Sequence, residues 1–503
     1  MNTRASDDEN VEAMVVAARL AAPAWAAISV KSRCAIMERF RAELFKRRHE
    51  GAAVISRETG KPLPESMIAE VATVLDGARF LERVADKTLR VQTRRSGTLA
   101  LWRKKIYVHH EPFGVVAIVS PWNYPFLFTA LHVLPALVAG NVVLLKPSEN
   151  TPETADFLAD VLRTAGVPHD VFQVVHGEGK AGAALVNANI DKVFFTGSAR
   201  TGRFIAEACA PRFIPVSLEL GSSDAAIVLA DANVPHAASG ITWGRFTNAG
   251  QTCVAPKRAI VLNSVHDQFV ALVKQNVEQL HVGDAETVGT DVGRMITVGQ
   301  AKMLNEQLAD AIAKGATVAA RHDVPATLTS PAYAPLVVLT DVTTDMRVWT
   351  EETFGPILAV VRATSDEDAL RQANATPFGL SGSVWSENRE RARALALRLD
   401  GGAVAINDCV FTAGTPEIPH GGVKESGMGR VHGIEGLLEC VHTKTVVDDR
   451  LTGMRQAWWF GYGPSNSARV DAYLRLAHGR GLLQRLSGLA GTIQLLIRPE
   501  RPI

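Results

Sequence analysis

Between residues 114 and 218 the chain alternates short, unbroken apolar runs with stretches of helical spacing. Val115-Val-Ala-Ile-Val119, Val142-Val-Leu-Leu145 and the runs at 171–175, 192–195 and 214–218 lack the polar alternation of a half-exposed strand. Each reads as a strand covered on both faces, which is how parallel sheets are built. Residues 126–139 read as a helix, and Thr151-Pro-Glu153 opens another with proline in its first turn. The pattern predicts an α/β fold with a doubly wound parallel sheet. A second α/β set starts after Gly221, with strands at 225–229, 259–262, 336–339 and 358–361. Upstream, residues 11–20, 32–48 and 65–84 have helical spacing. Residues 92–110 mix Arg, Thr, Leu, Trp and Tyr around Gly97 and read as a β-hairpin or arm.

A chain of 503 residues suits two or three domains. Its formal net charge of +1 gives no global pull toward nucleic acid. Five cysteines without CxxC spacing argue against a disulfide framework and against a zinc site, so no metal is expected and the reducing cytoplasm is the expected compartment. Asp7, Asp8 and Glu9 precede the first apolar residues, unlike a signal peptide. No uncharged apolar stretch reaches the roughly 18 residues of a membrane span. Charge is uneven, however. Residues 451–503 carry seven Arg against Asp471 and Glu500, a net of +5, which leaves −4 on the rest.

Chemistry concentrates in a few loops. Cys253 sits in Phe246-Thr-Asn-Ala-Gly-Gln-Thr-Cys-Val-Ala-Pro256, a small-residue loop presenting one thiol. Glu219 ends the run Ile214-Pro-Val-Ser-Leu-Glu-Leu-Gly221. A thiol and a carboxylate on separate turns suggest covalent cysteine catalysis with a separate base. Asn123, pinned between Pro121 and Pro125, has a side-chain amide suited to a developing oxyanion, although a turn role is commoner for Asn beside Pro. Lys146 and Glu149 follow a buried strand at its carboxyl end, where open α/β sheets bind ligands. Gly197 and Gly202 bracket a strand-to-helix turn whose N–H groups could hold a pyrophosphate, although GxGxxG is absent. Glu351-Glu-Thr-Phe-Gly-Pro356 offers a carboxylate and an aromatic wall, or simply a helix end and a turn.

Taken in order, Pro121-Trp-Asn-Tyr-Pro125, Lys146-Pro-Ser-Glu149, Phe195-Thr-Gly-Ser198, Leu218-Glu-Leu-Gly221, Gly250-Gln-Thr-Cys253, Glu352-Thr-Phe-Gly-Pro356 and Gly421-Gly-Val-Lys-Glu-Ser-Gly427 resemble the motifs of the aldehyde dehydrogenase superfamily across about residues 10 to 450. The stretch around Cys253 is similar to the class-3 and fatty-aldehyde branch. The resemblance implies an NAD(P)-dependent, non-acylating enzyme that makes carboxylic acids. Cys253 would be the nucleophile, Glu219 the base for the deacylating water, and Asn123 with the Cys253 N–H the oxyanion hole. Trp122, Lys146, Ser148, Glu149, Gly197, Ser198, Gly202, Leu220, Glu352 and Phe354 would line the cofactor site. A carboxylate at Glu149 would repel a 2′-phosphate, which favours NAD, with NADP open. The implied fold is a Rossmann-like cofactor domain (1–90 and 111–220, with 419–437 returning to it), an α/β catalytic domain (221–418), and a β-arm for oligomerisation (91–110 and 438–450). A homodimer or homotetramer is implied.

Two departures stand out. Gly221-Ser-Ser-Asp-Ala225 replaces a second Gly and Lys-Ser-Pro, and His420 replaces the usual Phe in Pro-Phe-Gly-Gly. For His420 a packing or surface role is preferred to a catalytic one. Cys34, Cys209 and Cys440 read as small hydrophobes in helix-like contexts, while Cys409 is a pocket-lining candidate along with Trp243, Phe246 and Phe411. The extension 451–503 holds Leu482, Leu486, Leu489, Ile493 and Leu496 at helical spacing, with Trp458-Trp-Phe460 and several Arg nearby. It reads as a membrane-surface helix, or as a helix packed on protein, since Gly479, Gly488 and Gly491 weaken an isolated helix. Two functional alternatives stay open: a cysteine esterase or hydrolase, and a catalytically silent membrane scaffold.

Overall fold

A computed structural model describes residues 8–98, 101–450, 456, 458–460 and 462–497. Its strands are β1 (Gln92–Arg94), β2 (Lys104–Pro112), β3 (Val115–Val119), β4 (Val142–Lys146), β5 (Phe172–Val174), β6 (Lys192–Thr196), β7 (Val216–Glu219) and β8 (Ala225–Val228). They continue with β9 (Arg258–Leu262), β10 (Thr317–His322), β11 (Leu336–Thr340), β12 (Ile357–Ala363), β13 (Ser381–Trp385), β14 (Ala403–Ile406), β15 (Gly427–Met428) and β16 (Val441–Asp449). The chain forms two compact units, one of residues 1–88 and 112–442, the other of residues 89–111 and 443–503.

The first unit holds two sheets. One runs β15-β7-β6-β3-β4-β5, parallel except for β15. The central runs β3 and β4 are almost wholly buried, as all-apolar sequence requires of strands sandwiched by helices. The helix Pro125–Ala139 is buried along its whole length. The other sheet runs β10-β11-β12-β9-β8-β13-β14, antiparallel only at β10. Its core includes Ile227, Ile260, Val338 and Val360, all fully buried. The sequence signal missed β10, β13 and β14. Ser381-Gly-Ser-Val-Trp385 is entirely buried yet escapes notice in the sequence, because serine and glycine carry no strand signal. The single helix expected over 65–84 is interrupted by a π-helical turn at Ser66–Ala72.

The second unit contains the sheet β1-β2-β16, in which Gln92, Thr93 and Arg94 pair antiparallel with Val108, Tyr107 and Ile106. Its edge strand β16 is mostly exposed. Helices Pro464–His478 and Leu482–Ile497 pack on each other. The glycines in the second helix have a different purpose from the one sequence suggests. A Cβ on Gly488 would stand 2.2 Å from the Ala472 carbonyl oxygen, and one on Gly491 2.4 Å from the Ala472 Cβ. They let the two helices approach closely. The leucine stripe is left outside that contact: Leu482, Leu486, Leu489 and Ile493 are 44–73% exposed. The Leu496 side chain and Arg498 lie outside the described residues. No single described helix is long and apolar enough to cross a membrane.

Candidate active site

Cys253 lies half-buried just after a turn of unusual backbone. Asn248 and Ala249 both have φ 51° and Gly250 φ 74°, three successive left-handed residues. A Cβ on Gly250 would stand 2.4 Å from the backbone of Gly355, so glycine is needed both for φ and for space. Arg245, fully buried, donates to the carbonyls of Thr353 (3.0 Å) and Gly355, clamping the 352–356 turn to the cysteine loop. Beneath it, Lys257 donates to Cys253 O and to Thr252 O (3.1 Å). Burial pushes the Cys253 thiol up to about 12, against the pull of the Lys257 ammonium.

The Asn123 turn docks on this loop. Asn123 Nδ2 donates to Gln251 O at 3.0 Å, Asn248 Nδ2 donates to Asn123 O at 2.8 Å, and the Tyr124 and Thr252 hydroxyls are 2.8 Å apart. Lys61, fully buried and paired with Glu70, donates to Asn123 O at 2.9 Å. Glu70 in turn accepts from the N–H groups of Phe126 (2.8 Å) and Leu127 (3.1 Å), where the buried helix begins. Sequence reasoning missed Lys61, Glu70, Arg245 and Lys257; nothing local to Lys61, for one, marks that it will meet Asn123, 62 residues away.

Glu219 closes β7, between Thr196 of β6 and Gly427 of β15. It is buried, and neither carboxylate oxygen has a hydrogen-bond partner. Burial holds its pKa well above the usual carboxylate range, against the nearby Arg430. Glu219 and Glu352 both act electrostatically on the Cys253 thiol. The loop after Glu219 is firmly held: Asp224 accepts from Ser381 N (3.0 Å) and from the hydroxyls of Ser222 and Ser381.

Trp122, Lys146, Ser148, Glu149, Gly197 and Ser198 line one cleft at the carboxyl ends of β3, β4 and β6. Lys146, 6% exposed, faces Glu149 at 3.1 Å, and a Cβ on Gly179 at the cleft wall would meet nothing within 4 Å. Ser198 caps the helix Ala199–Cys209, whose first N–H groups face outward from its start. This donor set fits a dinucleotide. The glycines act otherwise than expected. Gly197 N–H is spent on Glu219 O (2.9 Å) and Gly202 N–H on Ser198 O (2.9 Å). Gly202 instead lets the helix sit against Leu220, whose Cδ2 would be 2.6 Å from an added Cβ. Phe354 meets Trp122 edge to face at 5.5 Å, and Glu352 accepts from Ser222 N at 2.8 Å.

The remaining candidates separate. Cys409 is buried against the helix Val234–Phe246, its Sγ 3.3 Å from Gly240 O, so it packs rather than lines a pocket. Trp243 and Phe246 line a different cleft, with Glu65, Thr247 and Asn276, that does not include Cys253. Phe411 is 42% exposed, next to Val410, which packs on the same Val254, Leu380 and Ala413 cluster as Cys253. Cys440 is buried but lies just past its helix, not in it. His420 is 1% exposed and faces Glu219, so a surface role is excluded.

The model of the aldehyde dehydrogenase family matches residues 1–446. The chain is 34% identical over 476 residues to 4,4'-diapolycopene aldehyde oxidase of Methylomonas sp., covering 94% of this chain and 88% of that protein. It is 34% identical over 439 residues to betaine aldehyde dehydrogenase of Rhizobium leguminosarum bv. trifolii, covering 87% and 88%. Among solved structures, PnpE from Pseudomonas sp. WBC-3, also solved in complex with nicotinamide adenine dinucleotide, superposes with a TM-score of 0.85 at 32% identity over 90% of this chain and 92% of that one.

Proposed function

The chain belongs to the aldehyde dehydrogenase family, an NAD(P)-dependent oxidoreductase acting on an aldehyde, and from that premise we propose that Cys253 is its nucleophile, Glu219 its hydrolytic base and Asn123 its oxyanion donor. The observation that carries this reading is the buried, unpartnered carboxyl of Glu219 within electrostatic reach of the half-buried Cys253 thiol. Cys253 gives its S–H proton to solvent, the thiolate Sγ bonds to the aldehyde carbon as the C=O π bond breaks, and the oxyanion so formed takes N–H groups from Asn123 Nδ2 and Cys253 N. Bound NAD(P) supplies the hydride acceptor. The cleft residues Lys146 and Glu149 hold its adenosine ribose, Ser198 and the helix start its phosphates, and Trp122, Glu352 and Phe354 its nicotinamide end. Glu219 then takes a proton from water, whose oxygen attacks the thioester, and the C–S bond breaks to release the acid. Hydrolysis without redox chemistry and a silent scaffold are not favoured, since the cofactor cleft is intact.

The substrate is an apolar aldehyde, and the protein is a cytoplasmic homodimer or homotetramer that docks on anionic lipid. Supporting this, the match to the diapolycopene aldehyde oxidase is long enough to run past residue 446 into the extension. The extension carries a net +5, with Trp458, Trp459, Phe460 and the leucine stripe exposed. The exposed edge strand β16 offers a pairing surface for a second copy.

NADH formation with aldehydes of increasing chain length tests the chemistry: Cys253→Ala should abolish it, and turnover surviving in that variant would overturn the assignment. Co-sedimentation with phosphatidylglycerol vesicles tests the docking. The double substitution Leu486→Asp, Ile493→Asp should release the protein and spare turnover of a short aldehyde. A wild-type protein that stays in the supernatant refutes lipid docking.

A further inference from the structure

Glu219 is not alone in its pocket. His420 Nε2 stands 4.0 Å from Glu219 Oε2, and the His420 side chain is 2% exposed. Its Nδ1 has no hydrogen-bond partner. The ring of His432 follows at 6.0 Å between centroids, tilted by 36°, and its Nε2 is also unpartnered. His432 holds φ 60°, a left-handed conformation costly for a β-carbon-bearing residue. His432 also lines a small apolar cleft with Phe80, Leu131, Pro135 and Leu437. Buried polar atoms are ordinarily satisfied, so unpartnered atoms on three successive side chains that end at a cleft call for an explanation.

Packing alone does not supply one. An apolar ring at position 420 would fill the same volume without burying an orphaned nitrogen. Nor is the histidine there to neutralise the carboxylate, because burial keeps its own ring neutral and Arg430 is the cation that acts on Glu219. Yet Arg430 Nη1 is spent on the carbonyls of Gly422 (3.2 Å) and Gly429 (2.6 Å). That leaves the imidazole of His420 as the proton acceptor that faces Glu219.

We infer that His420 and His432 form a proton exit from Glu219 to the cleft, with His420 the residue that returns Glu219 to its carboxylate form during deacylation. The inference rests on Glu219 being the hydrolytic base. In the step, a water O–H bond breaks as its oxygen bonds to the thioester carbon, and Glu219 takes the proton. The C–S bond breaks, the acid leaves, and Cys253 remains as thiolate. Glu219 passes its proton to His420 Nε2, and the ring gives up its Nδ1 proton toward His432 and the cleft. His420 thus needs the neutral Nδ1–H tautomer at rest, and burial supports a neutral ring by depressing it to about 4. The groups facing the two rings are Glu219 from β7, Arg430 from the loop before the helix Gly433–Leu438, and His132 from the helix Pro125–Ala139. Glu439 adds a negative charge felt at Glu219.

The test follows the Cys253 acyl adduct by rapid quench and intact mass, with hexanal and NAD, in wild type, His420→Phe, His420→Ala and Glu219→Gln. His420→Phe should keep its NADH burst but lose its adduct at least about tenfold more slowly. Its acid limb should move to higher pH, since Glu219 would have lost its proton acceptor. In His420→Ala, free imidazole should restore the decay rate. Adduct decay in His420→Phe within twofold of wild type, with an unmoved pH profile, overturns the relay. If His420→Phe shows no burst, the decision passes to His420→Ala, where absence of imidazole rescue is the overturning result. Glu219→Gln separates the two claims. If it stalls as an adduct while His420→Phe does not, only the relay fails, whereas wild-type decay in Glu219→Gln removes the base assignment itself.

Discussion

The Cys253 loop and the Glu219 pocket are both buried, but their polar groups are treated in opposite ways. Around Cys253 the side chains of Asn123, Asn248, Lys61, Glu70 and Lys257 all find partners, most of them backbone groups, and Arg245 reaches its carbonyls through Nη2 alone, its Nε and Nη1 having none. In the Glu219 pocket both carboxylate oxygens, His420 Nδ1 and His432 Nε2 find none. A satisfied network is rigid and fixes where the thiol and the Asn123 amide point. An unsatisfied carboxyl is free to change its protonation and to meet a water. One region is built to position and the other to titrate.

The largest expected effect comes from breaking the positioning side. Glu70→Ala would leave the fully buried Lys61 ammonium unpaired and free two N–H groups at a helix start. A loss of about 3–5 kcal/mol is expected by urea denaturation, as for other broken buried pairs. On the titrating side, Glu219→Gln replaces a buried carboxyl whose oxygens have no hydrogen-bond partner by an amide of the same shape. Its folding stability should stay within about 1 kcal/mol while hydrolysis falls by roughly 10²–10⁴-fold. A Glu219→Gln protein as unstable as Glu70→Ala would erase the distinction between the two regions.

How far the sequence revealed this contrast follows the same division. Asn123 was legible because it follows an apolar strand, Lys146 and Glu219 because each ends one, and Cys253 because its small-residue loop presents a single thiol. The supports were not. Lys61 reaches Asn123 and Glu70 reaches Phe126 across long sequence separations, and in sequence both residues look like surface charges. Gly202 and Gly488 read as turn or weak-helix signals, but each proved to be a point of close packing that only the partner residue, Leu220 or Ala472, explains. β13 escaped because its burial is made with small polar residues. His420 was visible as a departure, but its neighbour Glu219 lies about 200 residues away in the chain, so its burial and direction were not.

A smaller effect, histidine by histidine, should appear on acid titration. Burial depresses His132 and His420 to about 4 and His432 to about 3. All three are neutral in the folded protein and gain protons on unfolding below their unfolded value of about 6.5. The unfolded state therefore binds more protons, and stability present above that value is lost as pH falls through the folded pKa values. The loss is about 3 kcal/mol per independent histidine at pH 4. Urea unfolding between pH 7 and 4 should show this slope, and His420→Phe should flatten it by about one histidine's share. An unchanged slope in that variant would mean that His420 carries its proton in the fold.

Glu149 gives the finest version of the comparison, because it is the same residue type at the carboxyl end of the same sheet. Its side chain is 50% exposed and 3.1 Å from Lys146. Burial works to raise its pKa, but its own backbone N–H and the Lys146 ammonium outweigh that and hold it below the usual carboxylate range. Glu219, with no hydrogen bond and deeper burial, goes the other way in spite of Arg430. Glu149 is therefore a fixed negative charge at neutral pH, and in a half-exposed cleft such a charge should repel a 2′-phosphate by about 1 kcal/mol. Glu149→Gln should raise kcat/KM with NADP relative to NAD by about fivefold, an effect that fades as salt is added. A ratio that does not move, or that moves equally at high salt, would assign cofactor choice to shape rather than to charge, and would leave Glu219 as the carboxyl in this sheet whose charge state matters to turnover.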